Sequence, residues 1–212
     1  MSTRTILSTV GRLVLAGAVM ISSACGGDLM RTGRSAVFLT VDNMQAASGG
    51  TAGSASSFLL SDVQVLVDQT VNGVTIKVPT VFNDTLTATI RSNEKNQNPD
   101  SLLTIINAVT LTRYHVDFRR TDGRNTPGVD VPFGFDGGLG VTIQPGATAN
   151  VVIELVRHQA KLEPPLKNLA GVGGQGFIST IAEVTFYGRD QNGNEVAVTG
   201  RIDVQFGDFG DS

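Results

Sequence analysis

The chain predicts an all-β fold, an antiparallel β-sandwich of about nine to eleven strands. Three observations point there. Apolar residues recur with period two from Ala36 onward, no 12-residue stretch carries a helical stripe, and Gly, Pro or Asn turn signals separate the runs at regular spacing. At 212 residues, 41% apolar and 17% charged, the composition is that of a globular chain able to bury one good-sized core.

Each element follows in order. "AVFLTVD" puts Val37, Leu39 and Val41 on one face. "DVQVLVDQTVNGVTIKV" groups Val63, Val65 and Val67, turns at Asn72-Gly73 and returns with Val74, Ile76 and Val78. Asn-Gly between alternating runs predicts a two-residue hairpin, since both central residues of a type I′ turn take positive φ. "TLTATIR" (Leu86, Ala88, Ile90) is another strand, and the polar run Arg91 to Ser101 reads as a loop or boundary. A division into two subdomains near residue 95 stays open, although the front piece would hold few strands for a core of its own. In "LTIINAVTLTRYHVDFRR" the apolar set Ile105, Val109, Leu111 switches parity to Tyr114, Val116, Phe118, which requires either two strands or a bulge. "LGVTIQPGATANVVIELVRH" gives Leu139, Val141 and Ile143, a Pro145-Gly146 turn, and a nearly continuous apolar run Val151 to Val156 that suits a central strand covered on both sides. The last pair alternates most cleanly, from Ile178 to Phe186 and from Val196 to Phe206.

The strand-turn-strand "VTIQPGATANVVIEL" and the terminal hairpin resemble immunoglobulin-like domains of bacterial surface proteins. That likeness implies an immunoglobulin-like sandwich over residues 36–212. The Cys…Trp…Cys core of antibody domains is missing, because the chain has no Trp and its one cysteine, Cys25, lies ahead of the domain.

The first residues have the order of a secretory signal: Arg4 and Arg12, then the nine apolar residues "LVLAGAVMI", then Ser22, Ser23 and Ala24. "ISSAC" resembles the lipobox of bacterial lipoproteins, departing from it at Ser22, where Leu is commonest. The resemblance implies a signal peptide over residues 1–24, cleavage before Cys25, lipidation of the Cys25 thiol, and a tether over residues 25–35. Gly26 after the cysteine resembles lipoproteins sorted to the outer membrane. Without residues 1–24 the chain carries 14 basic and 19 acidic residues, a net charge of −5, so retention at an anionic membrane falls to the acyl chains. Nucleic-acid binding calls for a strongly basic face, which this composition does not supply.

Motifs for chemistry are sparse. "GVGGQG" (Gly171 to Gly176) matches G-x-G-x-x-G in form, but a strand pattern follows where a dinucleotide fold needs a helix, so a loop is expected and no cofactor. Asp190, Asn192 and Asn194 offer oxygens for a weak calcium site. An EF-hand would also need Gly at position 6 and Glu at position 12, where Glu195 and Arg201 stand, so a hairpin turn is the preferred reading. Arg113, His115, Asp117 and Arg119 share one strand face, and a His-Asp pair two residues apart can orient an imidazole as a base. No G-x-S-x-G elbow or H-E-x-x-H accompanies it, and a solvated face is expected. Arg157, His158 and Lys161 form a basic cluster ahead of Pro164-Pro165, suited to an anionic ligand or partner or else simply solubilising. They open "HQAKLEPPLKNLAGVGGQG", the longest C-terminal stretch without strand pattern and the place to look for a groove.

The expectation is therefore a non-enzymatic, exported cell-envelope lipoprotein, held at the membrane through Cys25 and serving a structural role or binding an envelope protein. The alternative is a surface module for glycan or peptide. With no Trp and two Tyr the chain is poorly equipped to stack sugars, so strand addition by a protein partner is the preferred mode.

Overall fold

A computed structural model describes residues 33–50, 55–96, 105–173 and 175–209. The signal-like segment, Cys25 and most of the tether lie outside the described residues. From Ser35 the chain forms one compact unit that is all-β, with ten strands among the described residues. They are β1 (Val37–Ala47), β2 (Phe58–Asp62), β3 (Val65–Val71), β4 (Val74–Thr80), β5 (Asp84–Glu94), β6 (Val109–Arg119), β7 (Phe135–Ile143), β8 (Thr148–Val156), β9 (Phe177–Asp190) and β10 (Glu195–Gly207). A single helical turn, α1 (His158–Lys161), follows β8.

Two sheets enclose the core. One has the order β1-β5-β8, the other β2-β10-β9-β6-β7. Period-two alternation supplies the inner faces: Leu86, Ala88 and Ile90 of β5 are fully buried, as are Val184 and Phe186 of β9 and Val204 and Phe206 of β10. On the inner face of the five-stranded sheet, Phe118 of β6 meets Phe206 of β10 edge-on with ring centroids 5.5 Å apart. Strands from both sides of residue 95 share each sheet, β5 pairing with β8 and β2 with β10.

Several expectations need correction. The sandwich is not wholly antiparallel: β2 runs parallel to β10, from Phe58↔Asp203 to Asp62↔Gly207. The run Val151 to Val156 is no central strand. β8 is the edge of its sheet, and Val152 stands 67% exposed while Val151, Ile153 and Leu155 point inward. The Pro145-Gly146 turn forms and carries the chain from β7 in one sheet to β8 in the other. Residues 91–94 extend β5 instead of opening a loop, with Arg91 paired to Thr40 and Glu94 to Val37. Ile105 faces outward, 73% exposed, from a short 3-10 turn ahead of β6.

The parity switch resolves as one strand with a bulge, the register of β6 slipping between Leu111 and Arg113 against both neighbours. A second slip in β1, between Val41 and Asn43, moves the inward set from Val37 and Leu39 to Met44 and Ala46. The Asn72-Gly73 hairpin forms as the turn chemistry requires, with φ of 52° and 79°. Its strands make a separate two-stranded sheet, and Val71, Val74 and Ile76 remain 51%, 62% and 46% exposed. Among the described residues no helix is long and apolar enough to cross a membrane.

Candidate functional site

The strand-free segment after β8 carries the site. Arg157 leaves β8 in an extended conformation (φ −79°, ψ 143°) and has no side chain capping α1. The cap comes from elsewhere: Asn83, just before β5, accepts the His158 backbone N–H at its Oδ1 (2.6 Å). The same oxygen lies 2.9 Å from His158 Nδ1, and Asn83 Nδ2 donates to Glu154 Oε1 at 2.8 Å. His158 is thus spent holding α1 against the β4–β5 connection.

Lys161, at the other end of α1, is not a surface charge. Its ammonium lies 2.9 Å from each carboxylate oxygen of Asp84, with the two side chains 1% and 0% exposed. Asp84 also accepts the Gly49 N–H at Oδ1 (3.0 Å) and the Ser61 hydroxyl at Oδ2 (2.6 Å). Isolated charges there would be costly, and the pair persists because its oxygens are saturated with donors. The knot ties β2 of one sheet to β5 of the other and pins α1 from below.

On the outside of the same segment lies a cavity of about 290 Å³. It is lined by Pro132, Phe133 and Phe135 from the segment entering β7 and by Arg157, Gln159, Ala160, Glu163 and Pro164 from the segment after β8. The Arg157 guanidinium is 3.9 Å from the centroid of the Phe135 ring, which in turn packs edge-on against Tyr114 at 6.1 Å. Burial, reinforced by the charge of Glu154, pushes the Tyr114 hydroxyl above its ordinary pKa. Phe133 is 57% exposed, its ring lying over Gly128, whose missing Cβ leaves room for it. In the turn that follows β6, ahead of Phe133, Asp122 binds Arg120 (2.6 Å) and Arg124 (2.8 Å), which hold its carboxyl well below the usual carboxylate range. Among the described residues Arg157 has no carboxylate within ion-pair distance.

Of the three basic residues, then, only Arg157 faces the cavity. Asp84 carried a signal in the sequence, being in phase with inward-facing Leu86 and Ala88, where a carboxylate demands a partner. Asn83, Phe133 and Glu163 carried none, since their neighbours arrive from distant segments.

The remaining residues sit elsewhere. His115 Nδ1 lies 3.3 Å from Asp136 on β7, while Asp117 is contacted by Arg119 at 3.3 Å. This outer face is laced by Arg119–Glu183 (3.0 Å), Arg201–Glu183 (2.7 Å) and Arg113 over Tyr187 (4.2 Å). Asp190 closes the β9–β10 turn, accepting N–H groups of Asn192 (3.0 Å) and Asn194 (2.9 Å) at Oδ1 and the Asn194 side-chain amide (2.9 Å) at Oδ2. In the glycine-rich loop, the Gly171 and Gly173 amides hold Asp208 Oδ2 at 2.7 and 3.4 Å, and β9 follows. No protein-family model, curated protein or solved structure matches the chain.

Proposed function

We propose that the chain is a non-enzymatic cell-envelope lipoprotein, a β-sandwich tethered through lipidated Cys25 and carried to the outer membrane. The observation that carries this reading is the position of the chain's one cysteine, directly after a nine-residue apolar run and the small residues Ser22, Ser23 and Ala24. The reading takes the sandwich as immunoglobulin-like. The orders β1-β5-β8 and β10-β9-β6 support this, corresponding to strands A-B-E and G-F-C, with β7 placed as C′ and β3–β4 as an inserted hairpin.

The role is interaction with another envelope protein. An isolated two-stranded hairpin is marginal in water, and β3–β4 leaves Val71, Val74 and Ile76 uncovered, as a contact surface would. The test is metabolic labelling with a clickable fatty acid followed by fractionation. Cys25→Ala is expected to abolish labelling and release the chain from membranes; unchanged labelling and fractionation sink the proposal. The second reading, a ligand-binding module, is favoured by the cavity beside Arg157.

A further inference from the structure

The cavity has the parts of a carboxylate site. A guanidinium stacked flat on an aromatic ring keeps its N–H edges for an in-plane acceptor, and a carboxylate is the acceptor whose geometry matches that fork. The Arg157 guanidinium carbon lies over the Phe135 ring, 3.9 Å from its centroid, and among the described residues no carboxylate forms an ion pair with it. Phe133, Pro132 and Pro164 supply apolar wall, and Phe133 is exposed yet seated on Gly128. Glu163, also in the lining, sets a limit on the charge of the occupant, since a dianion would meet about twice the repulsion that a monoanion with an apolar body does.

The buried knot explains why this wall stays in place. α1 is fastened from within by Lys161–Asp84 and at its start by His158–Asn83, while Arg157, Gln159, Ala160 and Glu163 of the same segment face the cavity. A wall held by a desolvated ion pair on one side presents its outward residues with little freedom to lose on binding. Fixed geometry of this kind marks a binding site more than a surface depression.

We propose that this cavity binds a peptide through a carboxylate, which pairs bidentately with Arg157 while the adjoining apolar side chain covers Phe133. The volume of about 290 Å³ admits one or two residues, so the site engages the end or an acidic residue of a chain. The inference stands whether or not Cys25 carries acyl chains.

The test titrates the 15N-labelled full chain in detergent with N-acetylphenylalanine, N-acetylphenylalanine amide, inorganic phosphate, and the peptides Ac-Gly-Gly-Phe and Ac-Gly-Gly-Phe-amide, following backbone amide shifts. The acids are expected to move signals of residues 133–135 and 157–163, and each amide to bind at least about tenfold more weakly, the loss of the charge-assisted pairing. The peptide acid is expected to bind more tightly than the single amino acid; equal binding assigns the site to small free acids and overturns the peptide reading. Arg157→Gln should abolish the response, and Arg157→Lys, which keeps charge without the fork, should restore part of it. Phe133→Ala, at an exposed ring, should weaken binding without lowering Tm. Amides binding as well as acids, phosphate binding more tightly than either, or no response in those residues would overturn the proposal.

Discussion

Lys161→Met tests how the two sheets and α1 are held together. In the native chain the ammonium meets both Asp84 oxygens at 2.9 Å, with the two side chains 1% and 0% exposed, so neither charge is screened by water. The substitution keeps most of the side-chain volume and leaves Asp84 a buried anion supported only by the Gly49 N–H and the Ser61 hydroxyl. Breaking a buried pair by removing one partner costs about 3–5 kcal/mol, and the two surviving donors place this case near the lower end, about 3 kcal/mol. For a domain of this size each kcal/mol moves Tm by about 2–4 °C, so the melt should fall by about 6–12 °C. Urea denaturation followed by circular dichroism gives the free energy directly. Adding Asp84→Asn to Lys161→Met removes the orphaned charge while keeping an oxygen for one donor, and should recover at least about 1 kcal/mol. A single-variant loss below about 1 kcal/mol, or a double variant no more stable than the single, refutes the reasoning.

Three further outcomes follow from the geometry. Burial raises the Asp190 pKa, but hydrogen bonds from Asn194, Ser35 and Asn192 outweigh it and hold the carboxyl below its ordinary value. Its stabilisation is therefore complete above about pH 4 and lost as pH falls through the lowered value, so Asp190→Asn should flatten the acid limb of a Tm–pH curve. Tyr114, raised by burial, should ionise only above about pH 10 in an ultraviolet titration, and its contribution should fade as pH rises beyond that point; Tyr114→Phe should remove the late step. Gly188 sits opposite the β6 bulge, where a Cβ would overlap the Thr110 carbonyl oxygen, so Gly188→Ala should cost about 1–3 kcal/mol in a urea melt. An unchanged midpoint would mean that the bulge relaxes freely.

Alternation made the inner faces legible, because a strand's side-chain period leaves little choice once one face is buried. Leu86, Ala88 and Ile90 show this, as does the whole β9–β10 pair. Pairing partners were less legible. The Pro145-Gly146 turn announces a reversal, but local turn chemistry says nothing about whether the chain returns to the same sheet or crosses to the other. The Val151 to Val156 run misled because an exposed valine at an edge looks, in sequence, the same as a buried one, and Val152 is exposed. The β1 bulge left no trace, since Asp42 and Asn43 read as ordinary strand-end polarity. At the site, Arg157 stood out as part of a charge cluster. The fate of Lys161 depended on Asp84, far away in the chain, and a lysine in a polar stretch reads as solvated until its partner is known.

The parallel pairing of β2 with β10 has a consequence for how the domain comes into being. A ladder between Phe58–Asp62 and Asp203–Gly207 joins the first part of the domain to its last strand, so the five-stranded sheet lacks two of its members until the C-terminal segment has arrived. Contacts of such long sequence separation form late and slowly, because the loop entropy must be met before they reward it. A chain without β10 would leave Phe118 without its ring partner and β9 with an open edge, the kind of unpaired strand edge that exposes a folding intermediate to aggregation. Arrival of β10 thus completes the five-stranded sheet and gives β2 its place in it.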